Sequence, residues 1–491
     1  MRNLFQRSWF VLLLTVTLAP VALSQQGQNQ SQNQQNQQQQ EQGQTGQASD
    51  QPAQPISAYH SPLSALGGNQ DQNQNPSGLQ PDTHPLAGAQ NLGLGTAPTE
   101  HSYWQPTISV FSTLDSNAFG LSSGWVTYTS VLGALQVHRL SARNNLTLNY
   151  AGGGTFTTNS SVGNSVLQRL ELGDTVSLRR ATLSVFDTAA YLPETSFGFG
   201  GLGGLSLPGS GSLGLGNGYV PQESILAARD QRILNTSIGQ MNYLLSPRAS
   251  LTFLGGYSLL HFYGSGYLDI RQPMFQAGYN YQMTPLDTVA VLYNFSDIQF
   301  GGLNESIRDN RADLSYGRRV TGRIAFQVQA GPEIVTFQVP SSATTAGSGP
   351  KYLWNLNSSL SYALERGSLG LSYMHGVNAG SGVLVGAVGD TVGVTANRAL
   401  AREFTGGLRF GYARNSSLNG PTQLFANRNY DYWYGGADLN HPFGRYLSLV
   451  MSYQFQRETS NSPLCIGSSC GTFSRNTISI GFTWQDHPFA F

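Results

Sequence analysis

The sequence predicts an all-β fold, a transmembrane antiparallel β-barrel of about 18 strands, with 16 strands as the alternative. Apolar residues alternate with small polar residues along many segments, as strands with two different faces require. Connections between these segments are alternately short and long, and aromatic residues gather near predicted strand ends. Only 11% of the residues are charged and 58 are glycine, which is not the composition of ordinary soluble α/β domains.

Residues 1–24 have the three parts of a secretory signal peptide. Arg2 and Arg7 supply the positive region, residues 9–18 the apolar region, and residues 22–24 the small side chains that a signal peptidase reads. No cysteine follows the apolar region, so a lipoprotein is not expected. We therefore predict export and cleavage, with an uncleaved anchor helix as the alternative.

Residues 25–104 cannot build a hydrophobic core. Gln, Asn and Ser dominate residues 25–56, and Pro, Gly and more Gln follow as far as residue 100. Chains of this composition bury too little apolar surface to offset the entropy of ordering. The sequence predicts a disordered periplasmic tail that serves as a solvated spacer, with peptidoglycan tethering or partner docking as the functional alternative.

Residues 105–491 carry the alternating pattern and form the predicted barrel. The last long segment places Ile478, Ile480, Phe482 and Trp484 on one face and small polar residues on the other. The same division recurs in the segments at 288–296, 323–329, 352–362, 403–412 and 447–456. Each segment therefore reads as a strand with one apolar and one polar face.

A soluble sandwich also alternates, so other features must select a membrane barrel. The polar face is small and uncharged or of mixed sign, not rich in Lys and Glu. Aromatic residues that cluster near one predicted strand end suggest an interfacial girdle, namely Tyr430, Tyr432, Trp433 and Tyr434. Outside the N-terminus no stretch approaches the roughly 20 apolar residues of a membrane helix, which excludes a helical membrane protein.

The lengths of the connections predict which end of the barrel faces the periplasm. Tight turns are predicted at 141–145, 246–249, 284–287, 365–367 and 441–444. Longer external loops are predicted at 157–164, 189–230, 300–309, 339–350, 377–388, 415–427 and 459–472. Short periplasmic turns and long external loops place both termini of the chain in the periplasm. The alternative of 16 strands arises because residues 106–111 and 233–243 alternate only weakly.

The C-terminal end resembles that of bacterial outer-membrane β-barrel proteins of the porin type, although no specific family is identified. The resemblance covers residues 105–491 and rests on Phe482, Trp484 and the terminal Phe491, which resemble the signal read by the barrel-assembly machinery. Residues 485–488 interrupt the alternation, so we expect Phe491 just past the last strand. The resemblance implies location in the outer membrane of a Gram-negative (diderm) bacterium, with outer-membrane lipid and the assembly machinery as partners. It leaves a homotrimer open.

The polar face of a barrel this wide lines an aqueous lumen unless something plugs it. The charged residues predicted to face the lumen and act in selectivity are Arg311, Asp313, Arg319, Arg323, Glu333, Glu403 and Arg409. Opposite charges at separate heights impose a transverse field on passing solutes. The alternative is that these are solvated or cross-strand paired wall residues.

Two loops have unusual composition. The insert at 189–230 contains apolar residues among many glycines, and either folds into the barrel as a plug or packs outside it. Cys465 and Cys470 lie in the last long loop, where an exported protein meets oxidising conditions, so the sequence predicts a structural disulfide.

No pattern in the sequence supports catalysis. Residues 120–124 match the G-x-S-x-G spacing of a nucleophile elbow, but no helix follows, and the eight histidines show no metal-ligand spacing. We therefore predict no enzyme activity, no metal and no cofactor. The formal net charge of zero argues against a nucleic-acid partner.

The function predicted is a porin-like channel for passive diffusion of small hydrophilic solutes. One alternative is a barrel associated with export or secretion, for example of a polysaccharide, in which the tail recruits a periplasmic partner. The other is a structural or adhesive surface barrel with a plugged lumen.

Overall fold

The computed structural model describes most of the chain beyond residue 101. The described ranges are 102–117, 124–158, 164–192, 231–264, 267–302, 305–338, 349–382, 384–401, 403–418, 429–461 and 472–491. The predicted signal peptide, nearly all of the predicted tail, residues 193–230 of the Gly-rich insert and both cysteines lie outside these ranges.

The described residues form long antiparallel strands joined in chain order. The strands are β1 Tyr103–Asp115, β2 Val126–Leu140, β3 Asn144–Thr157, β4 Ser165–Ser177, β5 Ala181–Leu192, β6 Arg232–Ser246, β7 Ala249–Phe262, β8 Ile270–Gln282, β9 Asp287–Phe300, β10 Glu305–Arg319, β11 Ile324–Gln338, β12 Lys351–Leu364, β13 Gly367–Asn378, β14 Ala387–Ala399, β15 Thr405–Ser417, β16 Asn429–Phe443, β17 Leu447–Ser460, β18 Thr472–Gln485 and the two-residue β19 Phe489–Ala490.

Each long strand pairs with the next, and β1 pairs with β18, so the sheet closes on itself. At the seam Val110 lies opposite Phe482. Over the described ranges this gives a barrel of eighteen long strands, which confirms the prediction of 18. The two segments that alternate only weakly in the sequence, residues 106–111 and 233–243, are strands as well and lie in β1 and β6. The first strand begins at Tyr103, two residues before the predicted boundary.

The two faces of the barrel differ as the alternation requires. Large apolar side chains on the outside are strongly exposed, for example Val291 at 58%, Leu314 at 59% and Leu408 at 62%. Polar side chains at the intervening positions, such as Asp313 and Asn294, are buried inside. An apolar outer face and a polar inner face fit a barrel surrounded by lipid. No helix among the described residues is long and apolar enough to cross a membrane.

The aromatic residues of β16 correct one prediction. Tyr430, Tyr432 and Tyr434 are buried on the inner face, and only Trp433 is exposed on the outer face. Successive side chains of a strand point to opposite faces, so these four residues cannot all belong to an outer girdle.

Connections of two to five residues lie at one end of the barrel, here called the turn end, and connections of four residues or more lie at the other, the loop end. The connections at the turn end are 141–143, 178–180, 247–248, 283–286, 320–323, 365–366, 400–404 and 444–446. The turn predicted at 441–444 is displaced, because β16 continues through Pro442 and Phe443.

The chain resumes pairing after the interruption at 486–488. In β19, Phe489 lies opposite Trp104 and stacks on its ring at 4.5 Å. Phe491 follows β19 directly, and its backbone N–H donates to the Ser102 carbonyl at 3.2 Å. The terminal residue therefore lies just past a strand, as predicted, but that strand is a new short one paired with β1.

Candidate functional site

Side chains that face the lumen from β9 to β12 form a continuous polar network on the inner wall. Asp313 on β10 is its centre, and it accepts three hydrogen bonds from side-chain amides. Asn294 and Gln329 donate to one carboxylate oxygen at 2.8 and 2.7 Å, and Asn355 donates to the other at 2.8 Å. The donors come from β9, β11 and β12, so one carboxylate connects four neighbouring strands.

The backbone next to Asp313 explains why Gly331 stands opposite it. A Cβ at residue 331 would lie 2.0 Å from the Ala312 carbonyl oxygen and 2.6 Å from an Asp313 carboxylate oxygen. The Gly331 carbonyl also accepts from Asn355 at 3.1 Å. Only glycine permits the two strands to approach this closely beside the network.

A second part of the network places two carboxylates beside one guanidinium. Arg311 Nε lies 3.2 Å from an Asp309 carboxylate oxygen and 3.9 Å from a Glu333 carboxylate oxygen. Asp309 and Glu333 are 2% and 0% exposed. With Asp313, this stretch of wall carries three carboxylates and one guanidinium.

The loop end of β13 leaves the barrel wall near this network. Pairing of β12 with β13 stops at Leu356 and His375, whereas β13 and β14 remain paired as far as Asn378 and Ala387. The backbone N–H of Val377 donates to Glu333 at 3.3 Å. Glu333 belongs to the inner face of β11, so the described residues at the end of the β13–β14 hairpin, 376–382 and 384–387, lie inside the barrel. We call this segment the inner tip.

Apolar contacts hold the inner tip against opposite parts of the wall. Leu384, which is fully buried, packs in a cluster with the inward tyrosines of β16. Val385 belongs to a larger cluster with inward residues of β6 to β11, among them Phe262 and Ile307. The Gly382 carbonyl accepts from the backbone N–H of Leu268 at 2.8 Å. The tip therefore spans part of the lumen near the loop end and narrows it.

Three glycines give the inner tip its shape. Gly380, Gly382 and Gly386 have φ angles of 76°, 77° and 71°, which L side chains rarely adopt. A Cβ at Gly382 would lie 2.5 Å from the Phe262 ring, and one at Gly386 would lie 2.3 Å from Ile307. Glycine is therefore required here both for the positive φ angles of the tip and for its close contact with Phe262 and Ile307.

Two other pairs of opposite charges lie on the inner wall. Asp115 and Arg475 form a buried ion pair across the β1–β18 seam. Arg169 and Glu171 form another on β4. These two pairs are balanced one to one, unlike the carboxylates around Arg311.

The structure places most of the predicted lumen charges on the inner wall. Arg311, Asp313 and Arg319 face inward on β10, Glu333 on β11 and Arg409 on β15. The expectation is wrong for Arg323 and Glu403, which are exposed in connections at the turn end. Both residues fall just outside strands, where parity no longer fixes direction, and Arg323 lies 3.7 Å from Glu365.

Sequence reasoning misses Asp309 and the inner tip. The sequence predicts segment 377–388 as an external loop, and the structure corrects this. Leu384 and Val385 among glycines are the available signal, because apolar residues are uncommon in loops that face water. The predicted assembly residues Phe482 and Trp484 are exposed on the outer face of β18. Their part in assembly stays a prediction.

A closed antiparallel barrel of 18 strands, apolar outside and polar inside, defines a porin-like outer-membrane β-barrel protein. No family model matches the chain, and no curated protein matches it.

Three solved structures match the chain at TM-scores below 0.5. Outer membrane protein OpdK from Pseudomonas aeruginosa matches with a TM-score of 0.41 and 10% identity over 78% of this chain and 99% of its own. OccAB4 from Acinetobacter baumannii matches with a TM-score of 0.40 and 9% identity over 79% and 100% of the two chains. OpdQ from P. aeruginosa matches with a TM-score of 0.39 and 10% identity over 79% and 98%.

Proposed function

We propose that this protein is an outer-membrane channel through which small hydrophilic solutes diffuse passively. The observation that carries the proposal is the polar and charged inner wall of an 18-stranded barrel, centred on Asp313 and its three amide donors. Barrels of 16 to 18 strands are too wide for wall side chains alone to fill. A polar wall around such a lumen solvates hydrophilic solutes, whereas a packed apolar interior would not.

The charged residues of the wall give the channel its selectivity. Arg311 and Glu333 face the lumen together, with Arg319 nearer the turn end of β10 and Arg409 on β15. Fixed charges of both signs at different heights act on ionic solutes and on the dipoles of neutral ones.

The inner tip sets the upper limit of solute size. It reaches from β13 and β14 to side chains of β7, β10 and β16 at the loop end. The turn end of the barrel faces the periplasm and the loop end faces the exterior, so solutes entering from outside meet the tip before they meet the polar wall.

One observation favours a second candidate, a structural or adhesive barrel with a plugged lumen. The inner tip contacts opposite sections of the wall through apolar side chains, as a plug would. The two candidates differ in one respect that is directly measurable, because a plugged barrel does not pass solutes.

Liposome swelling with the full chain tests the proposal. We expect vesicles that contain the folded barrel to swell in isotonic small sugars, and the swelling rate to fall steeply as the sugars become larger. Vesicles with heat-unfolded protein are the control. Absence of swelling with a folded barrel supports the plugged barrel and contradicts the channel.

Deletion of residues 25–100 separates passive diffusion from export. A passive channel keeps its swelling rate without the tail, since the barrel strands begin at Tyr103. An export barrel that recruits its partner through the tail loses transport in cells. Equal swelling rates for the full and shortened chains support diffusion.

A further inference from the structure

Five buried side-chain oxygens on the inner faces of β9, β10 and β11 accept no hydrogen bond from an N–H or hydroxyl group of the protein. They belong to residues that are between 0% and 9% exposed, namely Asn294, Asp309, Gln327, Gln329 and Glu333. We call these five residues the acceptor patch. A buried acceptor without a donor costs about 1–3 kcal/mol, so five in one stretch of wall favour contact with a group that donates hydrogen bonds or carries positive charge.

The amide side chains of the patch indicate a donating partner independently of the carboxylates. Asn294 and Gln329 both use their amide nitrogens to donate to Asp313, at 2.8 and 2.7 Å. Exchange of the nitrogen and oxygen positions would remove those donations. The amide carbonyl oxygens are therefore held as free acceptors beside the carboxylates.

The same stretch of wall carries more acidic than basic groups. Asp309, Asp313 and Glu333 provide three carboxylates, and Arg311 is the guanidinium between Asp309 and Glu333. The carboxyl groups of Asp309 and Glu333 also contact each other, so the stretch lacks two positive charges when both are ionised and one when they share a proton. Elsewhere on the wall Asp115 has Arg475 and Glu171 has Arg169. An uncompensated buried charge costs several kcal/mol, so the acceptor patch attracts a cation.

We propose that the acceptor patch is a binding site for a small monovalent cation, an alkali ion or the ammonium group of a solute, and that it makes the channel cation-selective. This inference rests on the proposed channel function. Carboxylate and amide oxygens are ligands that suit hard cations, and they also accept from an ammonium group. In the described part of the chain no group of three or more His, Cys, Asp and Glu residues is arranged to hold a metal ion, so a dedicated divalent site is not part of the proposal.

The acceptor patch lies where an ion that crosses the lumen must pass close to the wall. Glu333 also accepts from Val377 of the inner tip, so the patch lies directly beside the segment that narrows the lumen. A cation that moves past the tip meets the patch next, at a point where the path is confined. Fixed charge at a constriction controls which ions pass.

The first test is the reversal potential of the full chain in a planar bilayer under a KCl gradient. We expect K⁺ to be preferred over Cl⁻ in the wild type. We expect the double variant Asp309→Asn with Glu333→Gln to lose roughly fivefold or more of that preference, because it removes both carboxyl groups beside the constriction. Both changes keep the side-chain shape, and the amide introduced by Glu333→Gln keeps an oxygen for the Val377 N–H.

A matched control removes one carboxylate from the outer face. Asp187 faces outward on β5, where Asn235 donates to it at 3.1 Å. The variant Asp187→Asn should leave the K⁺ to Cl⁻ preference unchanged. The cation site is contradicted if the wild type shows no preference, or if the control shifts the preference as much as the patch variant. A folded barrel that never conducts contradicts the proposed function instead.

A second test does not depend on conduction. Crystals of the full chain soaked in RbCl should show anomalous density between Asp309 and Glu333, and crystals of the double variant should not. An empty patch at high RbCl concentration contradicts an alkali-ion site. Repeating the reversal potential with methylammonium chloride distinguishes the two kinds of cation, because an ammonium site prefers methylammonium over K⁺. A patch that is empty of Rb⁺ and passes methylammonium no better than K⁺ contradicts the proposal as a whole.

Discussion

The backbone N–H of Val377 donates to the Glu333 carboxylate at 3.3 Å, although their strands, β13 and β11, are not neighbours in the sheet. This contact exists because β13 leaves β12 beyond His375 and enters the barrel. One side chain therefore belongs both to the polar wall and to the support of the inner tip. Narrowing of the lumen and placement of charge are connected through Glu333.

Introduction of a charge at the inner tip should open the channel. Leu384 is fully buried among apolar and tyrosine side chains, and Leu384→Asp places a carboxylate there. Burial of such a group without a partner costs at least about 3 kcal/mol, which shifts the balance between an inserted and a released tip roughly a hundredfold. We expect larger single-channel conductance and faster uptake of large sugars.

The control for the tip is Leu384→Met, which preserves volume and apolarity. It should cost less than about 1.5 kcal/mol and leave conductance unchanged. Equal conductance of Leu384→Asp and the wild type, with both barrels folded, would show that the tip does not limit the path.

The ion pair at the seam should contribute to closure of the barrel. Asp115 and Arg475 are buried on β1 and β18. Asp115→Ala leaves the guanidinium buried without this carboxylate, which costs about 3–5 kcal/mol. We expect a lower midpoint of urea unfolding, followed by tryptophan fluorescence in lipid vesicles.

The double variant Asp115→Leu with Arg475→Met sharpens this prediction. Replacement of both charges by apolar side chains is often neutral, so the double variant should be more stable than Asp115→Ala. If removal of both groups is as damaging as removal of one, then lost packing and not the uncompensated charge explains the effect.

The glycine beside Asp313 should not tolerate a methyl group. In Gly331→Ala the added Cβ would lie 2.0 Å from the Ala312 carbonyl oxygen, so β10 and β11 must move apart. Overpacking of this kind costs about 1–3 kcal/mol. Gly435 is the matched control, because a Cβ there has no neighbour within 4 Å. A fall in the unfolding midpoint for Gly331→Ala alone is expected, and similar midpoints for the two variants would contradict the described strand approach.

The outer face should behave as a surface in contact with lipid. Leu314 is 59% exposed on β10, and Leu314→Arg places a charge in the apolar belt at a cost of about 2–4 kcal/mol near the bilayer midplane. Ser359 faces the lumen on β12, and Ser359→Arg serves as the control. We expect reduced unfolding free energy in vesicles for the first variant and little change for the second. Equal effects would place Leu314 outside the lipid belt.

Much of the barrel follows from period-two alternation in the sequence. Ile478, Ile480, Phe482 and Trp484 predict both the strand and its outward face, because a buried polar face and a lipid-facing apolar face leave one consistent register. The count of 18 strands follows from the same pattern together with the connection lengths. For the same reason the pattern predicts that Arg311, Asp313 and Glu333 face the lumen.

Other features depend on contacts between residues far apart in the chain. The inward course of the inner tip depends on Phe262, Ile307 and Glu333, none of which is near residue 384 in sequence. The prediction fails for Arg323 and Glu403 because parity does not extend into turns. It fails for the cluster from Tyr430 to Tyr434 because aromatic composition alone does not say which face of a strand a side chain occupies.

Single-channel recording of the full chain in a planar bilayer tests the central claim most directly. The account predicts discrete, stable open steps from the wild-type barrel, and larger steps from Leu384→Asp. Persistent silence from both proteins, when each is shown to be folded by its heat-modifiable electrophoretic mobility, would contradict a channel.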